Sequence, residues 1–238
     1  MLLEIAGLTK SFGSIIVADK LDLAMAPGEA VGIIGPNGAG KTTLFNLIAG
    51  SLSPDGGAIR FDGRDLLGMP PQGRSRAGLG RTHQIPRPFE KLTVFENLLV
   101  GAVHGRGKTE REVARSCGEI LERLGLVRRA NTLAGSLTLL ERKRLEMARA
   151  LATAPRLLLL DEIAGGLTEG ECAELVATIR DIRATGVAIL WIEHVVHALL
   201  AVIDRLVVLN FGRKIAEGAP KEVMQRSDVH QIYMGIEA

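Results

Sequence analysis

A glycine-rich segment near the start of the chain combines the residue types that bind phosphate. The sequence VGIIGPNGAGKTT fits the pattern G-x-x-x-x-G-K-[ST]. Glycines let backbone N–H groups point at phosphate oxygens, and a helix that follows adds donors and partial positive charge. Lys41 would reach the β- and γ-phosphates of ATP, and the Thr42 hydroxyl would bind Mg²⁺. This phosphate loop comprises Gly35, Pro36, Asn37, Gly38, Ala39, Gly40, Lys41, Thr42 and Thr43.

Two adjacent carboxylates follow an aliphatic run later in the chain. The run RLLLLDE ends in Asp161 and Glu162. Ligands of open parallel sheets bind at the carboxyl ends of the strands, so both acids would lie near the phosphate loop. Asp161 would hold Mg²⁺ directly or through water, and Glu162 would be the base that polarises a water attacking the γ-phosphate. A solvated strand end is the alternative, and the phosphate loop favours the catalytic interpretation.

Short aliphatic strands and helices must position these groups. Alternation of apolar residues predicts strands at residues 2–8, 21–25, 30–34, 58–61, 156–160, 187–192, 205–209 and 213–217. Helices are predicted at residues 41–49, 169–184 and 195–202, and a short helix and loop at 73–80. Residues 94–152 are predicted to be helical, with breaks near 105–108, 125 and 131–136. The pattern indicates a parallel-sheet nucleotide domain interrupted by a helical insertion.

Composition limits the remaining choices. The chain has 238 residues, of which 47% are hydrophobic and only 3% aromatic, which suits buried parallel strands of aliphatic residues. A net charge of +2 does not indicate nucleic acid as a partner. No apolar run reaches the roughly 18 residues of a membrane span, so we expect a soluble chain that meets a membrane through partners. Cys117 and Cys172 indicate a reducing compartment without disulfides.

Several ordered motifs together make the whole chain resemble the ATPase subunit of an ABC transporter. The resemblance implies an α/β P-loop NTPase fold with a mostly parallel core sheet, an antiparallel β subdomain and a helical subdomain. It implies one ATPase domain over residues 1–238. Residues 1–83 and 152–238 would form the core with its antiparallel β subdomain, and residues 84–151 the helical subdomain with the signature motif. ATP and Mg²⁺ are the implied cofactors.

The same resemblance assigns roles to residues outside the two motifs. Phe12 stands where the family has an aromatic residue, usually tyrosine, that stacks on adenine, and Val17 would line the same pocket. Gln84, in RTHQ, matches the glutamine that contacts Mg²⁺ and the attacking water. His194, after VAILWIE, matches the histidine that contacts the γ-phosphate. A core role for Phe12 stays open, and we expect His83 to be structural.

The family signature motif corresponds to a segment that departs from the usual pattern. In the family this motif caps the γ-phosphate held by the opposing subunit. The segment consists of Ser136, Leu137, Thr138, Leu139, Leu140 and Glu141. Leu137 and Thr138 match the usual Leu-Ser, whereas Leu139 and Leu140 replace both glycines and Glu141 replaces a glutamine. Leucine is bulky where glycine allows close approach, so we expect this signature to support hydrolysis less well than an intact one.

Partners and cellular place follow from the resemblance alone. RTHQIPRPFEKLTVFENLLVG, Glu193 beside His194, and VVLNFGRKIAEGAPKEV resemble the importers of branched-chain amino acids and related amides. The implied partners are two membrane-spanning permease subunits, a second ABC ATPase in a head-to-tail dimer and, indirectly, an external solute-binding protein. Leu139 and Leu140 favour a different chain as the second ATPase, although a homodimer stays open. The chain would be cytoplasmic and peripheral on the inner face of the membrane.

Four alternatives stay open at this stage. The lipopolysaccharide-export ATPases have a similar body, and soluble ABC proteins of translation or repair share the motifs. A scaffold ATPase of cofactor assembly is a third alternative. A regulatory subunit that binds ATP but hardly cleaves it is the fourth, and only Leu139 and Leu140 favour it. The transported substrate cannot be read from the sequence, because an ATPase subunit does not touch it.

Overall fold

Two β-sheets carry the fold in this computed structural model, which describes residues 1–234. The strands, in chain order, are β1 (Leu3–Phe12), β2 (Ile15–Met25), β3 (Ala30–Ile34), β4 (Gly56–Phe61), β5 (Arg64–Asp65), β6 (Leu79–Arg81), β7 (Leu157–Asp161), β8 (Ala188–Ile192), β9 (Arg205–Asn210) and β10 (Arg213–Gly218). One sheet has the order β2-β1-β4-β5 and is antiparallel throughout. The other has the order β10-β9-β3-β8-β7-β6 and is parallel except for the β9–β10 hairpin.

The helices connect these strands and form a separate block in the middle of the chain. They are α1 (Lys41–Ala49), α2 (Pro71–Arg76), α3 (Val94–Arg106), α4 (Glu110–Arg123), α5 (Leu139–Ala152), α6 (Glu169–Arg183), α7 (Val196–Leu200), α8 (Pro220–Met224) and α9 (Ser227–Met234). Helices α3, α4 and α5 pack on one another between β6 and β7. None of the helices within residues 1–234 is long and apolar enough to cross a membrane.

The parallel sheet is the buried centre of the molecule. Every residue of β3, β7 and β8 is buried, as expected for strands covered on both faces. Trp191 in β8 is fully buried. Because β3, β6, β7, β8 and β9 run in the same direction, their carboxyl ends lie along one edge of the sheet. The segments that follow these ends can therefore converge on one ligand.

The predicted elements differ from the structure at three places. Residues 79–81 form β6, where a loop was predicted, because a short run with one leucine and one glycine shows no periodicity. Strand β1 continues to Phe12 instead of ending near residue 8, since register shifts along β1 and β2 interrupt the alternation. Strand β2 begins at Ile15, six residues before the predicted start at residue 21. Residues 235–238 of the predicted core lie outside the described residues.

Candidate active site

The phosphate loop joins the end of β3 to the start of α1 at the carboxyl edge of the parallel sheet. Gly38 and Gly40 have left-handed backbone angles, with φ of 82° and 97°. A Cβ on Gly40 would lie 2.2 Å from the Val17 carbonyl oxygen, so only glycine fits there. A Cβ on Gly38 would have no neighbour within 4 Å, so its surroundings are open. The loop is thus packed tightly on the protein side and open on the side where phosphates would bind.

Lys41 lies at the start of α1 with its ammonium group inside the loop. Its Nζ donates to the carbonyl oxygens of Gly35 at 2.7 Å and Pro36 at 3.0 Å, and the side chain is buried. Burial lowers the pKa of Lys41, whereas the charges of Glu162 and Asp161 act to raise it. The ammonium group of Lys41 is thus hydrogen-bonded to neutral carbonyl oxygens and has two carboxylates near it. A phosphate group bound in the loop would neutralise its positive charge.

A cavity of about 310 Å³ opens on the loop and extends towards the C-terminal helix. It is lined by Gly35, Pro36, Asn37, His194 and Ile232. The structure therefore places His194 across open space from the phosphate loop, as the predicted γ-phosphate contact requires. Thr42 is exposed and Thr43 half-buried at the first turn of α1, where hydroxyls can face a bound phosphate, whereas Ala39 is buried.

Glu162 is held from two sides by residues of two other segments. It follows β7, and its Oε1 lies 2.8 Å from Nε2 of His194, which follows β8. Its Oε2 accepts a hydrogen bond from Nε2 of Gln84, which follows β6. The backbone φ of Glu162 is +47°, a conformation that costs a non-glycine residue roughly 1 kcal/mol and that is found preferentially at functional sites. The structure thus brings together three of the four predicted catalytic side chains.

Asp161 is the last residue of β7 and forms an ion pair with Arg81. Nη2 of Arg81 lies 3.1 Å from Oδ2 of Asp161, and Nη1 donates to Oδ1 of Asn46 at 2.7 Å. Burial raises the pKa of Asp161, and the hydrogen bond and charge of Arg81 oppose that rise. Sequence reasoning missed Arg81, because β6, which carries it, was not recognised as a strand ending at the site.

Glu193 is another site residue whose role was not predicted. The sequence identified it only as the neighbour of His194 in the resemblance to the importers. It is fully buried and accepts from the backbone N–H groups of Ala164 at 2.8 Å, His194 at 2.8 Å and Val195 at 3.2 Å. One carboxylate therefore fixes both the segment after β7 and the segment that carries His194. The charge of Glu193 acts to raise the pKa of the buried Lys143 in α5, but burial of Lys143 lowers that pKa by more. The sequence signal that could have identified Glu193 is an acidic residue directly after an aliphatic strand.

The oxygen atoms available at the site fit a magnesium ion. Thr42 offers a hydroxyl, Asp161 a carboxylate and Gln84 an amide oxygen, and Mg²⁺ prefers oxygen ligands. Within residues 1–234 there is no cluster of three or more His, Cys, Asp or Glu side chains that could hold a metal. Such a cluster is not needed for Mg²⁺ that is bound mainly by nucleotide phosphates and water.

Phe12 and Val17 lie in the antiparallel sheet, in β1 and β2. Phe12 ends β1 with its ring 51% exposed, and Nζ of Lys10 lies 5.5 Å from the ring centroid. Phe12 is therefore not a core residue, and the part of its ring that Lys10 leaves exposed is available to a base. Val17 is half-buried in β2, with its carbonyl against Gly40.

The signature segment forms the start of α5. Thr138 is the N-cap residue, and its backbone N–H donates to Oε2 of Glu141 at 2.9 Å in a capping box. Glu141 also pairs with Arg129 at 2.7 Å. Glutamate in place of glutamine is thus explained locally, because it caps the helix and neutralises a neighbouring arginine.

The two leucines of the signature have different environments. Leu139 is 44% exposed, and its Cδ2 lies 3.4 Å from the position that a Cβ on Gly166 would occupy. Leu140 is buried, as is Leu137, whereas Ser136 is exposed. Of the two leucines, only Leu139 therefore adds bulk to the protein surface.

Comparison with known proteins identifies the family. The family model described as "ABC transporter" matches residues 18–165. The chain belongs to the ABC transporter family. It is 38% identical to the high-affinity branched-chain amino acid transport ATP-binding protein BraF of Pseudomonas aeruginosa, over 98% of both chains. It is 36% identical to the lipopolysaccharide export system ATP-binding protein LptB of Acidithiobacillus ferridurans, over 98% of this chain and 97% of LptB.

Solved structures of ATP-binding cassettes share the fold of this ABC ATPase. The structure of the ADP conformation of MJ1267, an ATP-binding cassette of an ABC transporter, superposes with a TM-score of 0.90. The two are 33% identical, and the match covers 98% of each chain. The predicted α/β P-loop fold and the predicted ABC ATPase are confirmed. The roles of the individual site residues and the subdomain boundaries stay predictions.

Proposed function

We propose that this ABC ATPase powers the import of branched-chain amino acids or related small polar solutes. The 38% identity to BraF over nearly the full length of both chains carries the proposal. Its partners would be two permease subunits, a second ATPase subunit and, indirectly, an external solute-binding protein. Through the permeases it would be held at the inner face of the membrane.

The phosphate loop would bind the triphosphate and align it for attack. Lys41 and the N-terminal N–H groups of α1 supply positive charge to the β- and γ-phosphates. Thr42, Asp161 and Gln84 would hold Mg²⁺, which neutralises charge that develops on the phosphate oxygens. Arg81 opposes the rise that burial causes in the pKa of Asp161, and it fixes the direction of that carboxylate, since it is the cation paired with it.

Glu162 would act as the general base. It takes a proton from the attacking water while the water oxygen bonds to the γ-phosphorus and the bond to the β–γ bridging oxygen breaks, giving ADP and phosphate. His194 and Gln84 orient the carboxylate from both sides. His194 would also contact the γ-phosphate across the cavity that it shares with the phosphate loop.

The second wall of each site would come from another ATPase subunit. One chain supplies one phosphate loop and one signature, and the head-to-tail arrangement sets each against the partner's. Exposed Leu139 weakens the wall that this chain offers, so the partner would be a different subunit with an intact signature. ATP then favours the closed dimer because it contacts both halves, and hydrolysis removes that preference.

A groove of about 470 Å³ between the core and the helical block is the surface we assign to a permease. It is lined by α2 and β6 on one side and by α3 and α5 on the other, including His83, His104, Glu146 and Arg149. His83 thus belongs to the groove, and burial lowers its pKa. Because β6 leads directly to Gln84, a partner in this groove could move Gln84 relative to Glu162.

Uptake in a strain that lacks the gene tests this proposal. The wild-type gene should restore ATP-dependent uptake of labelled leucine, isoleucine or valine. Glu162→Gln should not restore it, because loss of a general base lowers turnover by about 10²–10⁴-fold while ATP still binds. Glu174→Gln is the matched control, since it changes an exposed carboxylate that pairs with Arg144.

Similarity to LptB supports lipopolysaccharide export as the second candidate. Defective lipopolysaccharide transport in the deletion strain, with normal amino-acid uptake, would decide for export and against import. Full uptake with Glu162→Gln would instead remove Glu162 from its assigned role.

A further inference from the structure

The hairpin between β9 and β10 has an unusual residue at its tip. Asn210 pairs with Arg213, so the loop is Phe211-Gly212, and φ is positive at both residues, 43° and 75°. Such two-residue turns favour Asn-Gly or Asp-Gly, because few side chains tolerate positive φ. A bulky aromatic residue with this backbone is a genuine outlier. Phe211 is 80% exposed, so packing within the chain does not offset the strain.

The turn lies directly against the phosphate loop. The N–H of Gly212 donates to the carbonyl of Ala39 at 3.0 Å, and its carbonyl accepts from the N–H of Asp19 at 2.9 Å. A Cβ on Gly40 would lie 2.2 Å from the Val17 carbonyl and 3.6 Å from the Gly212 Cα. The turn, strand β2 and the start of α1 therefore meet at one point, and the turn cannot shift without moving the loop.

The sheet order gives the direction of a nucleotide in the loop. Gln84, Glu162 and His194 follow β6, β7 and β8, which all lie on one side of β3. A γ-phosphate directed towards these groups points the nucleoside to the other side of β3. That side holds β9, β10 and the turn, and hydrogen bonding links the turn to β2.

We propose that the Phe211 ring contacts the base or ribose of the nucleotide bound in the phosphate loop. It forms an apolar wall in addition to the one provided by Phe12 and Val17. The strained turn holds the ring outward before the ligand arrives, and the ring loses its exposure when the nucleotide binds. Ring faces stack on any purine, so the contact adds affinity with little choice between adenine and guanine. This inference rests on the proposed nucleotide site.

Calorimetric titration of the purified chain with two ligands tests the contact. Mg-ATP carries a base and a ribose, whereas Mg-tripolyphosphate offers phosphates alone. Phe211→Asn should weaken ATP binding about tenfold, within the range of base–aromatic stacking, and leave tripolyphosphate binding unchanged. The same substitution should raise the thermal midpoint, because asparagine tolerates the turn. Phe211→Tyr should bind ATP as the wild type does.

Two further variants separate the possible failures. Val127→Ala removes an exposed apolar side chain outside the site and should leave both affinities unchanged. Lys41→Ala should weaken both ligands; if it weakens neither, the nucleotide site itself is wrong. If Lys41→Ala behaves as expected and Phe211→Asn keeps wild-type ATP affinity, only the Phe211 contact is wrong. Equal losses for ATP and tripolyphosphate in Phe211→Asn also overturn it, because the turn would then act by disturbing the loop.

Discussion

Individual side chains at this site are oriented by contacts with neighbouring side chains. Glu162 has one carboxylate oxygen on His194 and the other on Gln84, so its direction is set before any water arrives. Each of the three residues follows a different parallel strand, and the edge of the sheet is what brings them within hydrogen-bond reach. Pre-orientation of this kind would remove the need to reorganise Glu162, the proposed base, during attack.

Removal of Arg81 should destabilise the fold in a pH-dependent way. In Arg81→Met the buried Asp161 loses its ion-pair partner, so its folded-state pKa rises further above the unfolded value. A group with a raised pKa stabilises the fold below its unfolded pKa and loses that contribution as pH rises through the folded pKa. The loss should therefore be about 3 kcal/mol near pH 7.5 and smaller at pH 5. Urea unfolding of the variant and the wild type at both pH values measures it.

Arg156→Met is the matched control for Arg81→Met. Arg156 also pairs with an aspartate, Asp62, but both side chains are about half exposed. Exposed pairs contribute little, because water and salt screen them. An equal loss of stability in both variants, or a loss that grows towards acid pH in Arg81→Met, would contradict the role assigned to the buried pair.

Some site residues could be predicted from the sequence and others could not, because they act in different ways. Lys41 and Glu162 belong to motifs whose spacing carries the chemistry, so they could be placed on the site without coordinates. Arg81 and Glu193 act through partners distant in the chain, Asp161 and Ala164. An acidic residue directly after an aliphatic strand points to Glu193, but no local pattern identifies the distant partners of Arg81 and Glu193, because these depend on which strands become neighbours.

Individual elements show the same limit. The aliphatic strands β3, β7 and β8 were predicted because each is a continuous buried run. Strand β6 has three residues and gains its structure from pairing with β7, so nothing in its own sequence predicts it. Helix α5 starts at Leu139 because Thr138 and Glu141 form a capping box, and these two residues were interpreted only as part of the signature motif.

The start of α5 should respond differently to the loss of each leucine. Leu140→Ala removes a buried side chain and should cost about 2–4 kcal/mol, including the cavity left behind. Leu139→Ala changes a half-exposed side chain at the first turn and should stay within about 0.5 kcal/mol. Chemical denaturation of the two variants tests the pair, and Leu139→Ala serves as the matched control. Similar losses of stability in both variants would contradict the different burial of the two leucines.

In the proposed dimer, each chain contributes two half-sites: its phosphate loop to one ATP site and its signature to the other. In this chain the phosphate-loop half-site is complete and the signature half-site is altered. In the proposed dimer, the phosphate loop with Glu162, Gln84 and His194 would need an opposing signature, and the exposed Leu139 would weaken the signature offered in return. A homodimer would pair two altered signatures with two complete half-sites. A heterodimer would leave one site with an intact signature, supplied by the partner.

This asymmetry predicts that the chain by itself does not form a tight ATP-bound dimer. Glu162→Gln should retain bound ATP because it should slow cleavage, so it gives association the best opportunity. In sedimentation velocity with Mg-ATP, this variant should remain a single species near 25.4 kDa. A second ATPase subunit with an intact signature should shift it to a dimer in the presence of ATP but not ADP, because the γ-phosphate is the group that the opposing signature contacts. A stable ATP-dependent homodimer, with robust hydrolysis by the wild type alone, would show that Leu139 does not impair the signature and that no second chain is needed.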